Sequence, residues 1–210
     1  QDQLYIDPST AHELHKTQKN EVLFKTRALL ALYYSKINPD PEKLKLSQNI
    51  PIVFEPTQVV ENSENTAEYD HQIKSIRLQP RMVFASPNVI GAYMAHELVH
   101  AEDNDDKTSI MEEQDGYREL AKFWMTFKQT EEAPNLDRAI KLYQESQAKL
   151  DHEVRQLYTM RNPLIPEKSP GHGLPKNVPP EMSTESVSKK YDSFIREQLK
   201  KRLGFYQGNL

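Results

Sequence analysis

The chain has 210 residues, enough for one domain with a substantial core, and no cysteine, which removes disulfides, thiolate metal sites and cysteine nucleophiles. Lys+Arg (27) nearly balances Asp+Glu (31), so a net charge of −4 supplies no electrostatic footprint for nucleic acid or an anionic membrane. No apolar run approaches the roughly 20 residues that cross a bilayer, and any metal must be held by His, Asp or Glu.

Residues 9–36, STAHELHKTQKNEVLFKTRALLALYYSK, read as one long helix capped by Ser9 or Thr10, with Leu23, Leu30 and Tyr33 at helical spacing. NPDPEK (38–43) breaks it. Three β-prone runs follow, PIVFEP (51–56), TAEYD (66–70) and KSIRLQP (74–80), the last two forming a hairpin around His71-Gln72-Ile73. ENSENT (61–66) reads as an exposed loop. Ser86-Pro87 starts a helix predicted over about 87–102, a capping hydroxyl followed by proline in the first turn. A second helix is expected from near 108 through MEEQDGYRELAKFWMTFK, with Trp124, Phe123 and Phe127 as core. Residues 134–161 are read as one amphipathic helix with Leu136, Ile140, Tyr143, Leu150, Val154 and Leu157 on its apolar face. Residues 162–182 hold six prolines and two glycines, a linker or a surface-wrapping segment, and 183–210 are read as a last helix capped by Ser183.

The chemistry concentrates in GAYMAHELVHAEDND (91–105). Residues four apart on a helix lie one turn apart on one face, so His96 and His100 can point two imidazoles at one ion. Glu97, about 100° round from His96, can reach a water on that ion. Zinc lowers the pKa of such a water to about 7, and a carboxylate can remove its proton. A second, similar string, TAHELHK (10–16), places His12 and His15 three apart; they diverge by about 60° and make a poorer chelate. Chance alone yields the HExxH pattern in roughly 2% of chains with this composition. The surroundings favour a site, because Val89, Ile90, Tyr93, Met94, Ala95 and Leu98 make this helix apolar on most sides, and buried imidazoles need partners.

HELVH followed by a helix bearing Glu113-Gln114-Asp115-Gly116-Tyr117 resembles the zincin metallopeptidases of the glutamate-ligand, thermolysin-like branch. The resemblance covers residues 52–124. It implies a zincin-like α+β core with His96, His100 and Glu113 as zinc ligands, Glu97 as general base and Tyr117 supporting the site. It also implies an edge strand that binds substrate backbone, for which SIRLQ (75–79) is the candidate. Two other third ligands stay open. Glu112 would serve if its helix were rotated by about 100°. Asp106 has the spacing of the metzincin branch, although Asp103 stands where that pattern needs glycine and no methionine turn follows.

EDNDD (102–106) places carboxylates at a helix C-terminus, against the macrodipole; it reads as a solvated loop, with no glycine for a calcium loop. His152 could face the site, while His71 and His172 are expected to be exposed. The resulting expectation is a zincin-like catalytic domain over 1–161, a proline-rich segment over 162–182 and a C-terminal helix over 183–210. The function expected is a zinc-dependent peptidase acting on peptide or protein substrates, without nucleic acid or a membrane span. The oligomeric state is left open. Gln1 in place of Met fits a removed leader or a truncated start, and the expectation leans to a secreted or periplasmic protein with the cytoplasm left open. The rival readings are a metal-binding regulatory protein of the same fold and a helical interaction protein with an accidental motif.

Overall fold

The computed structural model describes residues 8–57, 59, 60, 63, 64, 66–103, 107–169 and 172. It is an α+β fold, mostly helical, with six α-helices and a small three-stranded sheet among those residues. The helix α1 (Pro8–Leu32) runs into a wider turn at Tyr33–Ile37, whose first two tyrosines are buried. After Asp40 comes α2 (Pro41–Asn49), a short helix that the sequence reading missed by treating NPDPEK only as a breaker. Its start has a local cause: the Asp40 carboxylate accepts from the N–H groups of Glu42 (3.1 Å) and Lys43 (3.0 Å), with Pro41 in the first turn.

The strands are β1 (Ile52–Phe54), β2 (Val59–Val60), β3 (Ser63–Glu64), β4 (Ala67–Asp70) and β5 (Ser75–Leu78). β5 is the middle of the three-stranded sheet, parallel to β1 (Ile52 opposite Ile76) and antiparallel to β4 (Tyr69 opposite Ile76). This overturns the expectation that 75–79 is an edge strand: both its sides are paired, and the edges are β1 and β4, the latter packed on α3. The run expected as a bare loop at 61–66 instead holds β3, paired with β2.

A 3₁₀ turn (Pro80–Phe84) leads into α3 (Pro87–Glu102), started by the Ser86 hydroxyl accepting from Val89 N–H at 3.2 Å. α4 (Ile110–Phe127) starts the same way, with Ser109 accepting from Glu112 N–H at 3.3 Å. The stretch expected as a single helix over 134–161 is two, α5 (Pro134–Glu145) and α6 (Gln147–Arg161). The break lies at Ser146, whose extended backbone (φ −172°) frees its hydroxyl to cap Lys149 N–H at 3.1 Å. Residues 183–210, expected as a last helix, lie outside the described residues. Among the described residues no helix is long and apolar enough to cross a membrane.

The core is built on α3 against α4. Phe123, Trp124, Ile90, Met94 and Leu98 are fully enclosed, and Tyr33 meets Phe123 edge-on at 5.1 Å. Gly91 of α3 lies against the Phe123 ring of α4, and Gly116 of α4 lies against the His96 ring of α3. Ascending α3 therefore means descending α4, so the two helices run antiparallel. At Gly91 a Cβ would lie 2.5 Å from Phe123 Cζ, and that ring has no room to withdraw. Gly→Ala in a helix interior ordinarily gains about 1 kcal/mol, but overpacking an enclosed ring costs about 1–3 kcal/mol. Gly91→Ala is therefore expected to lower stability in urea denaturation, and adding Phe123→Leu should recover part of the loss. A Gly91→Ala protein with a raised midpoint would overturn this packing.

Candidate metal centre

His96 and His100 project from one face of α3, and α4 brings Glu113 to meet them. Among the described residues these three form the one His/Asp/Glu group able to hold a metal ion, and all three are buried. His96 Nε2 stands 3.1 Å from His100 Nε2 and 3.2 Å from Glu113 Oε2, and His100 Nε2 is 3.6 Å from Glu113 Oε1. Ligand atoms around a tetrahedral zinc with bonds of about 2.0–2.1 Å stand about 3.3 Å apart. The donor triangle thus has the right edges for one small divalent ion.

Glu112 has a different task from the one the sequence left open. Its Oε1 accepts from His100 Nδ1 at 2.7 Å, on the side of the ring away from the cluster. That bond gives Nδ1 of His100 a proton to donate and turns Nε2 toward Glu113 and His96, the carboxylate–histidine arrangement that orients metal-binding imidazoles. Glu112 and Glu113 follow the Ser109 cap in the first turn of α4, where the helix dipole favours carboxylates. The chain beyond α6 returns to this helix end: Pro166 C=O accepts from Ile110 N–H (2.9 Å) and Glu167 C=O from Met111 N–H (3.1 Å). The buried Ser169 donates to Asp103 Oδ2 at 3.3 Å, and Asp103 in turn lies beside Glu112.

Glu97 is buried next to the cluster. Burial raises its pKa, against the pull of His96 and His100. It also accepts a hydrogen bond from the backbone of Tyr69 on β4. The ladder explains why that group is available. Leu78 C=O and Ile76 N–H of β5 bond toward the β1 side, while Gln79 N–H bonds to Thr66 C=O. The alternate residues Ala67 and Tyr69 therefore turn their backbone groups outward, at the free edge.

Three tyrosines wall the site. Tyr117 meets the His96 ring edge-on at 4.9 Å, and its phenol pKa is pushed up to about 12, by burial first and by Glu113 second. Tyr158 of α6 packs 6.3 Å from Tyr117 and turns its phenol toward Glu113, with a pKa raised well above the usual tyrosine value by burial and then by that carboxylate. Tyr93, one turn before Glu97, is bonded to Thr66. Tyr158 was missed in the sequence, although Leu150, Val154 and Tyr158 repeat every four residues and so share a stripe on α6.

The remaining candidates fall elsewhere. His152 is exposed and turns away from the cluster, because buried Leu150 and Val154 occupy the inner face of α6. His172, expected in solvent, has Nε2 3.3 Å from Asp115 Oδ2, and His71 is half-buried against Tyr69. In the N-terminal string His15 is exposed; the His12 side chain and Asp106 lie outside the described residues. Of the acidic run, Glu102 is half-buried and paired with Lys43 at 2.8 Å. Comparison of the chain with family models, curated proteins and solved structures finds no match, so the site is read from its own geometry.

Removing the third ligand and loosening the second should be separable. Glu113→Ala is expected to lower metal affinity by more than about 100-fold, and Glu112→Gln by about 10–100-fold, in chelator competition. The reverse ranking would make Glu112 the ligand. Gly116→Ala tests the helix approach, because its Cβ would lie 2.8 Å from His96 Cε1. It should weaken metal binding more than it weakens folding. Metal uptake should also release protons. Burial lowers the His100 pKa, but the charges of Glu113 and Glu112 outweigh it and hold it well above the usual value. The metal-free imidazole therefore holds its second proton more tightly than a free histidine does, and the affinity should rise with pH. Calorimetry in buffers of different ionisation enthalpy reads this release, and a buffer-independent heat would contradict it.

Proposed function

We propose that the protein is a zinc-dependent peptidase with a zincin-like site, in which His96, His100 and Glu113 hold the ion and Glu97 is the general base. The donor triangle, with a buried carboxylate at its side and a sheet edge in front, is the observation that carries this reading. Zinc suits a nitrogen- and oxygen-only ligand set of three with a fourth position left open. When bound, it supplies Lewis-acid polarisation of a carbonyl and acidifies water.

The chain's own groups do the rest. Glu97, held by Tyr69 N–H, takes the proton of the attacking water and hands it to the departing amine. Its burial favours the neutral form, which brings a carboxylate closer to the range where it can both accept and donate. Tyr158 presents a phenol that stays protonated at neutral pH and can donate to an oxyanion forming beside Glu113. The outward groups of Ala67 and Tyr69 on β4 offer pairing for an extended substrate backbone.

Glu97→Gln keeps the ligand set and removes the base. In zinc-loaded protein it should retain one equivalent of metal and lower peptide hydrolysis by about 10²–10⁴-fold. Hydrolysis at the wild-type rate would remove Glu97 from this role. Failure of zinc-loaded wild type to cleave any peptide would leave a metal-binding protein without peptidase activity.

A further inference from the structure

The arginines divide into two groups. Arg27 donates to the carbonyls of Ser47 and Ile50, Arg77 pairs with Asp70 and Glu68, and Arg118 with Asp115 and Asp151. Arg138 pairs with Glu153 and Arg155 with Glu167. Among the described residues that leaves Arg81 and Arg161 without a carboxylate or carbonyl partner. Both stand beside tyrosines of the metal centre. Arg161, in the last turn of α6, lies 5.9 Å from the Tyr158 ring, whose phenol faces Glu113, and its charge reaches Tyr117. Arg81, in the 3₁₀ turn after β5, sits close enough to Tyr93 for its charge to act on that phenol, although burial is the larger influence there. Tyr93 precedes Glu97 by one turn of α3.

The acidic groups nearby do not cancel them. Glu68 and Asp70 of β4 are engaged by Arg77, while Glu97 and Glu113 belong to the centre itself. A guanidinium stacked on a tyrosine is held in place and keeps its N–H donors free, a geometry matched to carboxylate. We propose that Arg161 selects peptides bearing an acidic side chain beside the bond presented to the metal. This deepens the peptidase reading and rests on it for the word substrate, but the recognition step can be read without turnover.

The experiment uses zinc-loaded full-length Glu97→Gln protein and three labelled peptides of equal length, carrying paired aspartates, paired serines or paired lysines. Fluorescence anisotropy should show the acidic peptide binding about tenfold tighter than the lysine peptide at low salt, with the gap closing near 0.5 M salt. Arg161→Gln should abolish the preference and Arg161→Glu should reverse it. Arg138→Glu, on the far surface, should leave it unchanged. Metal content and thermal midpoint of each variant confirm that it folds. Equal binding of the three peptides, no binding of any, or an acidic preference that survives Arg161→Gln would each overturn the proposal. Acidic preference without cleavage by the wild-type protein would retain this rim and sink the peptidase reading; cleavage without acidic preference would do the opposite.

Discussion

The close antiparallel approach of α3 and α4 is the constraint on which the rest depends. Gly91 and Gly116 remove a Cβ at each end of the contact, and the space is taken by Phe123 below and His96 above. With ordinary side chains at both places the axes would separate, and Glu113 would no longer stand 3.2 Å from His96 Nε2. The two ends differ in purpose. At Gly91 the gain is dispersion around an enclosed ring, whereas at Gly116 it is position, since the imidazole is seated against bare backbone. Packing and chemistry are therefore one arrangement here, and the apolar half of the contact supports the polar half.

Much of this arrangement was written locally in the chain. Ser86-Pro87 and Ser109 mark helix starts through their own hydroxyls, and spacing by four puts His96 and His100 on one face whatever surrounds them. The hairpin at 66–79 and the enclosure of Trp124 were legible for the same reason. What could not be read is tertiary. Which of Glu112 and Glu113 joins the two imidazoles depends on the roll of α4 about its axis, which is set by Gly116 and by the carbonyls of Pro166 and Glu167 from a distant segment. β5 looked like an edge because its parallel partner β1 lies more than 20 residues upstream, and alternation within a strand carries no record of how many neighbours it has. The helix break at Ser146 was hidden because serine reads equally well as a surface residue and as a cap.

Charge balance favours a cation site over an accidental motif. Glu97, Glu112 and Glu113 are all buried, and His96 and His100 are the basic groups that act on them. His100 already answers to two of them, through Glu112 at 2.7 Å and Glu113 at 3.6 Å. Burying so many carboxylates costs several kcal/mol for each one left ionised and unpaired, and apolar side chains of similar size would usually serve folding better. Met94, Ala95 and Leu98 show that the same helix turn accommodates such residues alongside them. A helical interaction protein whose HELVH arose by accident offers no offset for that cost. A divalent ion held there would offset it, by neutralising Glu113 and fixing both Nε2 atoms while Glu112 keeps its hydrogen bond from His100 Nδ1. Free energy of binding to the folded chain alone then adds to its stability. The cluster is costly as a structural element and coherent as a cation site, and on that difference the functional reading stands.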